Sequence, residues 1–252
     1  MSERFLERMT WPEVEAARDS GVAAVLIPIG STEQHGRHMP LDTDCLIARE
    51  LCRRAAELGE RDGVNLLVAP TMNVTLSWYH MQFPGSMKLS TTTFLQVFRE
   101  VCDSLAHHGF ENLIAVNGHG GNIAALTVAV NYAMETTGRR VFLVQWWDLA
   151  ADLLAEVEGP MIHAEEAETS IALALGQRVV ESEAARDAFD RGAAEELPLT
   201  AEERRAGRGR RRRTDLAIRG AHADRRVDLE RHVHVERLAA RAGGGEVGQP
   251  EI

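Results

Sequence analysis

The chain has 252 residues, 44% of them hydrophobic, which is enough for a substantial core and excludes disorder throughout. Its net charge of −10 is unevenly spread: residues 1–203 carry 15 Lys+Arg against 31 Asp+Glu, and residues 204–252 carry 13 against 7. An acidic body whose single lysine is Lys88 offers no cationic field for a nucleic-acid backbone.

The N-terminus is charged from Glu3 and has no long apolar run before a small-residue cleavage site, so no secretory signal is expected. No stretch is long and apolar enough for a membrane span. Cys45, Cys52 and Cys102 are odd in number and lack metal-type spacing. Reduced thiols in a cytoplasmic protein are the expectation.

Along the chain, strands and helices alternate. Residues 23–29 form a continuous apolar run that ends at Gly30, as a strand buried on both faces does. Residues 44–58 are apolar at helical spacing, with Asp44 near the start. Residues 64–69 predict a second buried strand. Residues 91–108 predict a helix, with Thr91–Thr93 as candidate N-caps and Gly109 as its stop. A strand then leads into the glycine-rich turn at 117–122, followed by a helix over 123–136 and a strand over 141–147. Further helices are expected at 149–157, 164–175 and 181–194. The pattern predicts a three-layer α/β/α fold with a mostly parallel central sheet. Ligands of such sheets sit at the carboxyl ends of the strands, and the polar clusters of this chain fall there.

The first cluster, residues 30–44, holds Glu33, His35, His38, Asp42 and Asp44. Glu33 and His35 are two apart, so on an extended strand end they point to the same side. Carboxylate and imidazole together are ligands for zinc, manganese or iron, and this density favours a metal site over an exposed polar loop. The second cluster, Asn117-Gly-His-Gly-Gly-Asn122, presents His119 on a glycine turn. Such a turn can also bind a phosphate through its amides, although no nucleotide fingerprint is met.

The third cluster contains His163, Glu165, Glu166 and Glu168. On one helix His163 and Glu168 lie about 140° apart. They can flank one site only if His163 precedes the helix, and Glu165 and Glu166 read as a solvated acidic face. A fourth stretch, residues 76–86, places Ser77, Trp78, Tyr79 and His80 before a Pro-Gly turn, as a pocket-lining loop would. Trp146 and Trp147, read as neighbours on a strand, face opposite ways, so at most one is a pocket wall. No Gly-x-Ser-x-Gly elbow and no nucleophile-like cysteine is present, which leaves metal-activated water as the leading chemistry.

Taken together, these clusters resemble the creatininase (creatinine amidohydrolase) family. The matching pieces are Thr10-Trp-Pro-Glu13, residues 28–44, Phe83-Pro-Gly-Ser86, the turn at 117–122, Trp146-Trp-Asp148, and His163 with Glu168-Thr-Ser170, in family order across about residues 5–180. The resemblance implies a hydrolase of C–N bonds with two divalent metal ions per subunit (zinc, manganese or iron), commonly a homohexamer. It implies metal ligands at Glu33, His35, Asp44 and His119, with Asp44 bridging. His163 would be catalytic, Glu168 would stand beside the site, and Ser77, His80 and Trp147 would contact a small-molecule substrate.

One departure bears on the substrate. In creatininase itself the turn reads Asn-Gly-His-Tyr-Glu-Asn, and its glutamate binds a metal. Here that place is Gly121, so Glu168 is the expected replacement carboxylate, and creatinine is not the expected substrate. Cyclic amides, formamides and peptide-like amides stay open. So do a lactone or sugar-derived substrate on the same site and a non-catalytic phosphate-binding module built on the turn. The expected domain spans residues 1–203. Residues 204–252 begin with an arginine run that matches nothing in the family, and they read as a solvated or poorly ordered segment or as a shifted reading frame.

Overall fold

The computed structural model describes residues 3–155 and 163–180. Four strands form one parallel sheet: β1 (Ala24–Ile29), β2 (Leu66–Val68), β3 (Asn112–Asn117) and β4 (Arg140–Gln145), in the order β2-β1-β3-β4. The helices are α1 (Trp11–Asp19), α2 (Thr43–Arg61), α3 (Thr91–His107), α4 (Ile123–Thr137), the short α5 (Trp146–Leu149) and α6 (Ala151–Leu154), and α7 (Glu166–Ala174).

Every residue of β1 and β3 is buried, because helices cover both faces of the sheet. The two-residue side-chain period sorts them. Val25, Ile27, Ile29, Leu113 and Ala115 pack against Phe94, Phe98 and Cys102 of α3 and Leu126, Ala129 and Ala133 of α4. Ala24, Leu26, Ile114 and Val116 pack with Cys52, Ala55 and Ala56 of α2 on the opposite face. The three-layer expectation therefore holds, with every described strand parallel.

The strand order matters for function. The chain leaves β1 towards β2 on one side and returns to place β3 on the other. The loops after β1 and β3 thus diverge and open a crevice at the carboxyl end of the sheet. The two strands end level, with Ile29 paired to Asn117, and the Gly118 N–H donates to the Ile29 carbonyl at 2.7 Å.

Two glycines let α2 begin inside this crevice. A Cβ on Gly30 would lie 2.5 Å from the backbone of Cys45, and one on Gly118 would lie 2.6 Å from the Asp44 carbonyl. The Thr10–Glu13 stretch has a local role. Glu13 accepts from both the Thr10 N–H and the Thr10 hydroxyl at 2.7 Å, which starts α1.

Three local expectations are corrected. The N-cap of α3 is Ser90, whose hydroxyl accepts from the Thr93 N–H. Gly109 does follow the helix end, at φ +88°. Strand β4 ends at Gln145, and Trp146 and Trp147 start a helical turn instead of extending the strand. Both then pack with the patch formed by Ile47 and Ile171, which the alternation of strand side chains would forbid. The helix expected over 149–157 is two short turns as far as residue 155. The helix expected at 181–194 and the segment 204–252 lie outside the described residues.

Replacing Gly30 with Ala should drive a methyl group into the start of α2 and destabilise the fold by about 1–3 kcal/mol. A urea midpoint unchanged from wild type would show that the close approach is not needed.

Candidate metal centre

Five side chains converge in the crevice. Glu33 and His35 come from the loop after β1, Asp44 from the first turn of α2, His119 from the loop after β3, and Glu168 from the first turn of α7. All five are buried. Ligand-type atoms of Glu33, Asp44 and His119 lie within 4.8 Å of one another, as do those of His35, Asp44 and Glu168. Asp44 belongs to both trios. A third trio joins Glu33, His35 and His163.

Neighbouring carbonyls orient the imidazoles. A carbonyl oxygen can only accept, so a ring nitrogen beside one carries the proton. His35 Nδ1 donates to the Glu33 carbonyl at 3.1 Å, which turns Nε2 towards Asp44 Oδ1 at 2.9 Å. His119 Nε2 donates to the Leu76 carbonyl at 2.9 Å, which turns Nδ1 towards Glu33 Oε1 at 3.2 Å and Asp44 Oδ2 at 3.1 Å. Ligand histidines are held in this way by the groups behind them. Glu33 is fixed through its other oxygen, Oε2, which accepts from the Ser77 hydroxyl, itself in contact with Ser31. Ser77, expected to touch substrate, is fully buried and has its hydroxyl engaged by Glu33.

The residues present fit divalent metal ions. Glu33 Oε1 and Asp44 Oδ2 are buried without a hydrogen-bond partner, and both face His119 Nδ1. Buried carboxylate oxygens left in this state need a cation. Protons fill that need when no metal is bound. Burial alone would lower His35, but the charge and hydrogen bond of Asp44 raise it to about 9. Burial likewise works against the proton on His119, yet Asp44 and Glu33 hold it well above the usual imidazole range. Against their burial, Asp44 is held low by His35 and His119, and Glu33 by His119 and His163. Burial lifts Glu168 to about 8.

His163 precedes α7, so it reaches the site together with Glu168. Ala164, between them, has a positive φ of 49°, the only such non-glycine residue among those described. That turn lets the Ala164 N–H donate to Glu168 Oε2. His163 Nε2 lies 2.7 Å from the Gln34 carbonyl and 3.0 Å from the Gln34 side-chain Nε2, and Nδ1 faces Glu33 Oε1 at 3.7 Å. Burial, with the positive charge of His35, pushes His163 down to about 3, so the ring is neutral. Its side chain keeps 21% exposure, against 4% or less for Glu33, His35, Asp44 and His119.

His80 stands beside it, with ring centroids 4.7 Å apart, and accepts from Gln34 Nε2 at 2.9 Å. Of the other sequence candidates, His38 bonds the Thr169 hydroxyl at 3.1 Å and Asp42 accepts from Gln177 at 2.9 Å on the outside. Glu165 is not solvated: it caps α7 by accepting from the Ala167 and Glu168 N–H groups. Trp147 packs on the Ile47–Trp146–Ile171 patch. Gln34 and Tyr79 were missed as functional residues. Their only sequence signal was a place inside motifs already noted.

The fold and this crevice define an α/β protein with a buried carboxylate–imidazole centre whose ligand-type atoms fall into trios, two of them sharing Asp44. The chain belongs to the creatininase family, whose model, described as creatinine amidohydrolase, matches residues 7–226. Creatinine amidohydrolase of Pseudomonas putida is 27% identical over 159 residues, covering 59% of each chain. Mycofactocin precursor peptide peptidase of Mycolicibacterium smegmatis is 41% identical over 115 residues, covering 44% of this chain and 45% of its own. The chain therefore matches less than two thirds of these relatives. A solved structure, "Creatininase Mn", superposes with a TM-score of 0.61 at 29% identity, covering 69% of this chain and 73% of that one.

Metal uptake should displace the proton from His35. Affinity for zinc should therefore rise as pH climbs from 6.5 to about 9, by about tenfold per unit for each proton released. Calorimetric titration in buffers of different ionisation enthalpy measures those protons, and an affinity that falls over this range would contradict the assignment. Glu168→Ala should lower the number of metal ions bound per chain below that of wild type.

Proposed function

We propose that this chain is a metal-dependent amidohydrolase that cleaves the C–N bond of a peptide-like amide. The observation that carries this reading is the pair of ligand trios sharing the buried Asp44. Glu33, Asp44 and His119 would hold one divalent ion, and His35, Asp44 and Glu168 the other. Such a pair supplies a water of lowered pKa and polarises a carbonyl. Zinc, manganese or iron suits this donor set.

The protein's own groups do the rest. His163, partly exposed and facing Glu33 Oε1 through Nδ1, offers a ring nitrogen that can pass a proton between attacking water and the leaving nitrogen once metal has displaced the His35 proton. Gln34 holds the ring in place through its backbone carbonyl and its side-chain amide. Before a metal is bound, burial lifts Glu168 to about 8, and as a ligand it gives up that proton. His80 lines the approach beside His163, Trp147 supplies an apolar wall further out, and Ser77 serves the site through Glu33.

Two observations favour a peptide-like amide over creatinine. Identity to the peptidase is 41%, against 27% to creatinine amidohydrolase. Gly121 also withholds the side chain that creatininase places at the metal. Gly121 is packed beneath the Tyr79 hydroxyl, which explains this glycine without a bound phosphate.

Large apolar side chains left exposed, among them Trp11, Trp78 and Val128, suit a homo-oligomer, the hexamer of the family resemblance. Three buried free thiols suit a cytoplasmic protein. Among the described residues no helix is long and apolar enough to cross a membrane.

Exhaustive chelation should abolish amide hydrolysis, and zinc or manganese should restore it. His163→Ala should lower kcat by about 10²–10⁴-fold with metal content unchanged. Amine release from short peptides, formamides and creatinine, followed side by side, tests the substrate class. Turnover of creatinine alone would overturn the peptide-like assignment, and full activity without metal would overturn the mechanism.

A further inference from the structure

The five residues Leu76–His80 touch the first trio at four points, one of them His80 Nε2 at 3.6 Å from Glu33 Oε1. The Leu76 carbonyl accepts from His119 Nε2 at 2.9 Å, the Ser77 hydroxyl donates to Glu33, and the Tyr79 hydroxyl lies 3.1 Å from the same His119 nitrogen. Because Nε2 carries a proton for the carbonyl, the Tyr79 oxygen shares that N–H as a second acceptor. The Tyr79 ring also lies nearly parallel to the His119 ring, with 26° between planes and centroids 6.3 Å apart. The second trio is held from elsewhere: His35 by the Glu33 carbonyl and Glu168 by the Ala164 N–H.

Gly121 completes the arrangement. A Cβ there would fall 2.0 Å from the Tyr79 oxygen and 2.5 Å from His119 Nε2. No side chain can stand at 121 while Tyr79 is in place. The departure from the family's turn and the position of Tyr79 are thus one feature.

We propose that Tyr79 is a positioning residue for the metal ligand His119, occupying the room a side chain at 121 would need, so that the Glu33–Asp44–His119 position depends on the docked 76–80 loop while the His35–Asp44–Glu168 position does not. The proposal rests on the two-metal reading above. It goes beyond that reading in making the two positions separable and in giving Tyr79 and Gly121 a joint role.

The test is competition titration of metal-stripped full-length protein with zinc against a chromophoric chelator, comparing wild type with Tyr79→Phe. Phenylalanine keeps the ring packing and removes only the oxygen. Loss of a ligand's outer partner commonly costs 10–100-fold in metal affinity. One of the two zinc sites should therefore weaken by about tenfold or more, with the other unchanged. Thermal unfolding in chelator should match wild type, which separates the effect from a folding defect. Two unchanged affinities, or two that weaken equally, would overturn the role of Tyr79. Wild-type protein that takes up no zinc would overturn the two-metal reading, and this proposal with it.

Discussion

Asp44 is buried between the diverging loops of β1 and β3, and the architecture around the site follows from that placement. The strand order opens a crevice at one point. Gly30 and Gly118 remove the atoms that would keep α2 out of it. The first turn of α2 then delivers a carboxylate where the strand ends of the sheet's centre meet. With Glu33 and Glu168 beside it, this is a concentration of buried negative charge that apolar packing cannot stabilise. His35 and His119 balance it with protons, and the same nitrogens can exchange those protons for metal.

Function also depends on how the supports are divided. The first trio leans on the loop before the Pro-Gly turn, and the second on the segment that begins at His163. That later segment is also clamped to the loop after β1 by groups outside the two trios. His38 bonds Thr169, Gln177 bridges Asp42 and Thr43, and the Val180 N–H donates to the His38 carbonyl. The polar residues of the 38–43 stretch that do not face the centre therefore still act on it, by fixing where α7 begins.

Much of this was legible in the sequence, for identifiable reasons. Strands covered on both faces must be continuously apolar, so β1 and β3 announce themselves. Sites in such sheets lie at the carboxyl ends of the strands, so the candidates Glu33, His35 and His119 stand where polar clusters follow apolar runs. Helical geometry made a shared site for His163 and Glu168 conditional on His163 preceding its helix, and it does. What stayed hidden depends on contacts between distant segments. Ser77 looks like a substrate contact until Glu33 is seen to take its hydroxyl. Trp146 and Trp147 look like strand residues until the chain turns at Gln145. Glu165 looks solvated until it is found capping α7. Gln34 acts through its backbone carbonyl as much as its side chain, and no residue type encodes that.

The contact between Tyr79 and Gly121 also constrains how such a site can change over time. A glutamate at 121 and a tyrosine seated at 79 claim the same volume, so this chain could take a side chain at 121 only with Tyr79 swung away. Passage between the two versions of the turn requires that one partner yield first. The intermediate then has either an empty space beside a metal ligand or a side chain forced against it. A barrier of that kind would keep branches of one family apart even where their folds and most of their ligands coincide.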